Sequence, residues 1–310
     1  MKRISVVTIC YNEEGNIRDF YDQIVAVFAG LQGRYEYEII IADNASADGT
    51  PDILREIAAR DSNFKVIFNA RNFGPNRSGN NAFLQAHGDA AILMSSDLQD
   101  PPTLIPELIA EWERGKKVVV AVKVESAEPR ISYFLRTVAY KTLDRLSDIT
   151  MIPHFTGFGL YDRQVLEIYQ SLRDPYPFFR GLISDIGFEH AVVHFSQPLR
   201  KHGKSKSSIP YLYEEAMLGI TSYTRLPLRL ATLLGFATAL ISLLIGVFYL
   251  VYKLVYWSSF SLGMAPLAIG LFFFSAIQLI FLGLIGEYIS MIYIQVLRRP
   301  PVYEKERLNF

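Results

Sequence analysis

The 310-residue sequence has a single cysteine, Cys10, no excess of either charge, and neither an internal repeat nor a low-complexity tract. One thiol excludes an intrachain disulfide and a cysteine-built metal site, and its place in the apolar run ISVVTIC reads as a buried structural residue. The 31 basic and 31 acidic side chains cancel. That balance argues against nucleic acid as a partner, since its binders carry a basic excess, while leaving room for a local basic patch facing a phosphate. A signal peptide is not expected either. Met1-Lys2-Arg3 is basic, but the apolar run behind it is short and meets the polar YNEE at once.

Apolar residues are plentiful, 50% of the total, and unevenly spread. Beyond about residue 224 come LATLLGFATALISLLIGVFYLVY (230–252) and MAPLAIGLFFFSAIQLIFLGLIG (264–286), neither containing a charge. A membrane-spanning helix needs about 20 such residues, so both are expected to be spans, the second running to 289. Arg225 and Arg229 before the first and Arg298 and Arg299 after the second outweigh the lone Lys253 between them. By the positive-inside rule both ends lie in the cytoplasm. The expected division is a cytoplasmic domain over 1–208, an interfacial helix over 209–229, transmembrane helices over 230–252 and 264–289, and a cytoplasmic tail over 290–310, in the inner (cytoplasmic) membrane. IPYLYEEAMLGITSYTRLPLR (209–229) has enough Tyr, Leu and Met beside its charges to lie among headgroups, with an ordinary linker helix as the open alternative. Glu287 and Gln278 stand close to the second span, and Glu287 is expected at the interface.

Before residue 224, short apolar runs alternate with helical segments, the pattern of an α/β domain around a mainly parallel sheet. ISVVTIC (4–10), YEIIIAD (37–43), KVIFNA (65–70), AAILMSS (90–96) and KVVVAV (117–122) read as strands. Ile17, Phe20, Ile24, Phe28 and Leu31 recur at helical spacing, and Pro51 suits the first turn of the next helix. The first four strands end in YNEE, DNAS, RNFG and SSDLQD. Ligands of open α/β sheets bind beyond the carboxyl ends of the strands. One such end alone is turn chemistry; four in register, on a membrane-tethered head, point to one site for a polar ligand.

At these residues the chain resembles the family 2 glycosyltransferases of the polyprenyl-phosphate type, such as dolichol-phosphate mannose synthase and the bactoprenol glucosyltransferases. The resemblance rests on CYNEE, DNASADGT, RNFG and DLQDPP, then on TGFGLYDR (156–163), FFRG (178–181), RKHGKSK (200–206), LPLR (226–229) and IGEY (285–288), and covers nearly the whole chain. It implies a GT-A nucleotide-binding domain followed by an interfacial helix and two transmembrane helices. It also implies a hexosyltransferase using a nucleotide-sugar donor. Position by position, Tyr11 and Glu13 would contact the donor base, Asp43 the base or ribose, and Arg71 the donor. Asp97 and Gln99 would hold Mg²⁺ or Mn²⁺, and Arg200, Lys204 and Lys206, with Lys201, would border the acceptor phosphate.

Two departures from the family pattern carry consequences. Where the family has two aspartates separated by one residue, this chain has Ser95, Ser96 and Asp97, so a weaker metal site or an altered donor choice is expected. Asp97 and Gln99, two apart on extended chain, are expected to point the same way, with Pro101 and Pro102 ending the strand; Asp97 as a mere cap for the helix at Thr103 is the competing reading. Gly157 falls where relatives carry the acid taken as catalytic base, Asp162 matches a structural acid further along, and Asp185 is the nearest substitute. A sugar hydroxyl needs a base, whereas a phosphate monoester, with a second pKa of ~6, is already ionised at neutral pH. The expected activity is therefore inverting, metal-dependent transfer of a sugar to a polyprenyl phosphate, for glycan, lipopolysaccharide or cell-envelope glycosylation. Extension of a lipid-linked glycan on a hydroxyl, and a catalytically silent nucleotide-sugar-binding scaffold, are the alternatives. The sugar, the nucleotide and the oligomeric state, a homo-oligomer included, are left open by the sequence.

Overall fold

The computed structural model describes residues 1–31, 33–125, 149–153, 155–172, 174–198, 209–256 and 264–310. Its strands are β1 Lys2–Cys10, β2 Tyr35–Asp43, β3 Phe64–Asn69, β4 Ala90–Leu93, β5 Val118–Glu125, β6 Phe155–Asp162, β7 His190–Ser196 and β8 Glu304–Leu308. They form one mixed sheet in the order β7-β5-β6-β4-β1-β2-β3-β8. β1 runs parallel to β2 and β4, β2 to β3, and β5 to β7; β6 is antiparallel to β4 and β5, and β8 to β3.

Strands covered on both faces read as continuous apolar runs, and alternate residues serve opposite layers. Val6, Ile39 and Ile41 pack towards α1 (Ile17–Gly30), α2 (Thr50–Arg60) and α4 (Ile105–Glu113). Val7, Ile40 and Ala42 pack towards α3 (Pro75–Leu84), α5 (Arg163–Leu172) and α6 (Phe179–Ile186). Phe83 is the hub of the second layer, edge-on to Tyr161, Tyr169 and Phe179 at centroid distances of 5.6, 5.1 and 5.1 Å. Each such pair adds roughly 0.5–1.5 kcal/mol beyond area burial, which fixes β6 and α6 against α3. The helical spacing expected from Ile17 to Phe28 is the buried stripe of α1.

The strand order places the switch in connection direction between β1 and β4, where a doubly wound sheet opens its ligand crevice. β4 is shorter than expected and ends at Leu93, so SSDLQD is loop rather than strand end. β6, β7 and β8 are strands that the apolar runs did not announce.

Helix α7 (Ile209–Tyr223) packs on the head: buried Leu218 joins Met151 and Phe178. Gly181 is required here because a Cβ would lie 2.4 Å from Cε2 of Tyr223. A break at Thr224 and Arg225 separates α7 from α8 (Leu226–Val255), with Pro227 in the first turn, instead of one helix to 229. α8 and α9 (Met264–Leu297) are long and apolar enough to cross a membrane. The chain then returns to the head, and β8 pairs with β3 across Val66 to Asn69.

Candidate active site

The parallel register aligns the strand ends: Cys10 lies opposite Asp43, Asp43 opposite Phe68, and Val7 opposite Leu93. Three hydrogen bonds then tie the four polar ends into one rim. The amide of Asn12 donates to Oγ of Ser46 at 2.8 Å, Nδ2 of Asn44 to Oδ1 of Asn72 at 2.9 Å, and Oγ of Ser96 to the carbonyl of Ile9 at 2.8 Å. YNEE, DNAS, RNFG and SSDLQD are therefore one structure.

Within the first loop, the amide of Glu13 donates to Oγ1 of Thr50 at 2.9 Å and its carboxylate accepts from Nδ2 of Asn16 at 2.6 Å. Tyr11 stands half-buried at the mouth of the same loop. Asp43 is buried, and its carboxylate accepts from the amide and hydroxyl of its own turn residue Ser46. Burial raises its pKa, and the Ser46 bonds only partly oppose that. The thiol of Cys10, 3.7 Å from Asp43 and buried, is pushed up by burial and then by that carboxylate, so it is an inert core group.

Asn44, within DNAS, is a hub of the rim that its motif alone does not distinguish. Its Oδ1 accepts from the amide of Phe73 at 2.9 Å, Oγ of Ser78 at 2.7 Å and Nδ2 of Asn69 at 3.3 Å. Oδ1 of Asn69 is buried with no hydrogen-bond partner among the described residues, an acceptor whose desolvation is uncompensated. Arg71 is exposed and joins the rim at its edge: Nη1 donates to the carbonyl of Asn72 at 3.0 Å, and the guanidinium lies 4.0 Å from the centre of the Phe73 ring.

Beyond β4 the chain turns, with Leu98 at φ 61° and the amide of Gln99 donating to Oδ1 of Asp97 at 3.1 Å. Asp97 and Gln99 thus share a tight aspartate turn rather than the expected extended chain, so the alternation that would point both side chains the same way is absent. Asp97 is buried and Gln99 half-buried. Ser95, standing where the family pattern has its first acid, donates through its amide (2.9 Å) and hydroxyl (2.8 Å) to Asp100. Burial raises Asp100, against the Ser95 bonds and the charge of Lys123. An aspartate at 95 would face that carboxylate at hydrogen-bond distance, where two like charges do not coexist cheaply.

The residues between 5 and 170, more than half of the chain, match the family model described as glycosyl transferase family 2. The chain belongs to that family. The glycosyltransferase is 32% identical over 298 residues to an uncharacterized glycosyltransferase of Synechocystis sp., covering 96% of this chain and 93% of that one. It is 33% identical over 299 residues to the bactoprenol glucosyl transferase of Shigella phage SfII, covering 96% of each. Among solved structures, a mannosyltransferase of Pyrobaculum calidifontis in complex with GDP-Man and Mn²⁺ aligns at 18% identity and a TM-score of 0.41, over 96% of this chain and 87% of that one.

In this glycosyltransferase, with its GT-A-like α/β head, Gly157 has φ 106°, a conformation that disfavours an aspartate. Asp162 is structural: burial pushes it up, but bonds from Nε1 of Trp112 (2.7 Å), the amide of Gln164 (3.1 Å) and Nζ of Lys117 (3.2 Å) prevail and lower it. Asp185 is exposed in the last turn of α6, and its charge acts on Tyr223. Arg200, Lys201, Lys204 and Lys206 lie outside the described residues. Among the described residues no three His, Cys, Asp or Glu side chains converge on a metal position. The donors near Asp97 are hard oxygens, which fit Mg²⁺ or Mn²⁺ sharing its coordination with phosphate and water, and do not fit a closed protein cage.

Proposed function

We propose that the chain transfers a sugar, with inversion, from a nucleotide-sugar donor to a polyprenyl phosphate at the cytoplasmic face of the membrane. The observation that carries this reading is the bactoprenol glucosyl transferase match, which runs over 96% of both chains and so includes the apolar helices as well as the head. Two crossings also agree with β8: the chain leaves the head for the hairpin and must return to the same side to pair with β3.

In this reading Tyr11, Glu13 and the Asn44 network form the wall against which the nucleoside rests, and Asn69 offers its unpartnered Oδ1 to the donor. Asp97, with Gln99, would hold a divalent ion that, when bound, neutralises the departing nucleoside diphosphate. The rim fixes donor and acceptor in line, which supplies rate without a proton transfer. Among the described residues no carboxylate is assigned the role of the base missing at Gly157, and a lipid phosphate needs none because it arrives ionised. Asp185 is left without a proton to take.

The test is a panel of nucleotide sugars offered to the purified full-length protein in detergent with undecaprenyl phosphate, read by product mass. A lipid bearing one added sugar through its phosphate is expected. No product from lipid phosphate, with sugar added instead to a lipid-linked glycan, overturns the reading.

A further inference from the structure

A cavity of about 490 Å³ opens between the RNFG loop, α7 and the last turns of α9. One end holds two guanidinium-bearing residues, Arg77 from the first turn of α3 and Arg299 just past α9. Neither forms an ion pair with any carboxylate among the described residues. Nη2 of Arg77 reaches only the carbonyl of Pro300, at 3.3 Å, and the same half-buried guanidinium lies 5.2 Å from the centre of the Phe73 ring. Burial and the neighbouring charge of Arg71 both lower its pKa, as expected for a cation held in a locally positive field.

The wall between the two ends is apolar, with Leu218 from α7 and Met291 and Ile294 from α9. Of the carboxylates that line the cavity, Glu287 is set apart from the cations. Glu287 accepts from the hydroxyl of Tyr213 at 3.4 Å, and ten residues of helix, about 15 Å of rise, separate it from Leu297 at the Arg299 end. Glu214 is exposed on α7. A cationic end at the helix terminus, continuous with an apolar wall along a span, has the polarity of one molecule: an anionic headgroup with its chains.

We propose that this groove binds a phospholipid of the anionic leaflet, its phosphate held between Arg77 and Arg299 and its chains against α9. The occupant is a bilayer lipid rather than the sugar acceptor because of where the cations sit. Arg77 follows β3, Asp97 follows β4, and three strand spacings, roughly 14 Å, lie between those strands in the order β4-β1-β2-β3. The two residues thus follow strands that are not neighbours, and a phosphate at Arg77 sits to one side of a sugar held beside Asp97. The headgroup would instead seat the head on the membrane next to the donor loop, since Phe73 belongs to both.

The test uses the full-length protein in detergent, titrated with phosphatidylglycerol, phosphatidylcholine or undecaprenyl phosphate, with bound lipid counted by native mass spectrometry. Preferential binding of one phosphatidylglycerol is expected, reduced about tenfold or more by Arg77→Gln with Arg299→Gln and retained by the paired lysine variants. Undecaprenyl phosphate should bind alongside phosphatidylglycerol without displacing it. Equal binding of the two phospholipids, an unchanged preference in the double glutamine variant, or displacement of phosphatidylglycerol by undecaprenyl phosphate would each overturn the proposal. Donor binding, followed by nucleotide-sugar titration, should be unaltered in every variant, which separates this site from the catalytic rim and shows that the head is folded.

Discussion

Ile40 in the head and Leu243 in the hairpin are side chains of equal size with opposite surroundings: the first is 0% exposed and the second 63%. Phe20 at 0% and Phe272 at 74% repeat the contrast. In the head, apolar side chains are hidden by other parts of the chain, in period-two alternation on strands and in stripes on helices. In the hairpin, over helices of 30 and 34 residues, none of the described apolar side chains in the most hydrophobic windows is buried. The same residue types are therefore buried in one region and exposed in the other, and the exposed ones sit in uncharged runs long enough to cross a membrane.

The sharpest way to break the comparison is chemical. Asp97→Ala should lower turnover by about 10²–10³-fold or more, with the unfolding of the head moved by no more than about 1 kcal/mol for the lost turn bond. Undiminished turnover would reduce SSDLQD to a connecting loop. The second contrast is energetic. Ile40→Ala should cost the head about 2–5 kcal/mol in urea unfolding, through lost transfer energy and the cavity left behind. Leu243→Ala should leave that transition where it is, because its side chain is 63% exposed and takes no part in the head's core. A matching loss in the Leu243 variant would mean that the hairpin is part of the head's core.

Asp100 sharpens the contrast on the head's side. Its native pKa lies above the ordinary 3.8, so the folded protein binds more protons than the unfolded one between 3.8 and the raised value. Stability from this group is thus lost as pH rises through that window. Asp100→Asn keeps an acceptor for Ser95 and removes the titration. Its melting temperature should gain on the wild type as pH rises from below 3.8 towards neutrality, and parallel melting curves at all pH values would refute the burial argument. The smallest effect expected is in Asp185→Asn: a rate within about tenfold of wild type and an unshifted pH profile. A fall of 10²–10⁴-fold would make it a general base and favour a hydroxyl acceptor.

How much of this was legible depended on whether a residue's role is local. The first three strands, the stripe from Ile17 to Phe28, the Pro51 helix start and the two apolar helices follow from patterns within a few turns of chain. β6 was hidden by Gly157 and Gly159, which interrupt its apolar run, and β7 by exposed His190 and His194. β8 reads EKERL, a polar edge strand recognisable only by its partner β3. In the site, the four polar strand ends were visible as motifs, and the structure joins them. The turn at Leu98, the tie between Ser95 and Asp100 and the hub at Asn44 depend on contacts that no spacing rule encodes.

The position of β8 also sets an order of events during synthesis. A head emerging from the ribosome has β1 to β7 early, but the backbone donors and acceptors along the outer side of β3 stay unpaired until residues 304–308 follow, after both apolar helices. Asn309, whose Nδ2 donates to the carbonyls of Ala58, Asp61 and Phe64, arrives later still. In the proposed two-crossing topology, a chain whose second helix failed to bring the tail back would keep that edge open to pairing with other chains. Completion of the sheet would then double as a check that the hairpin has been threaded correctly.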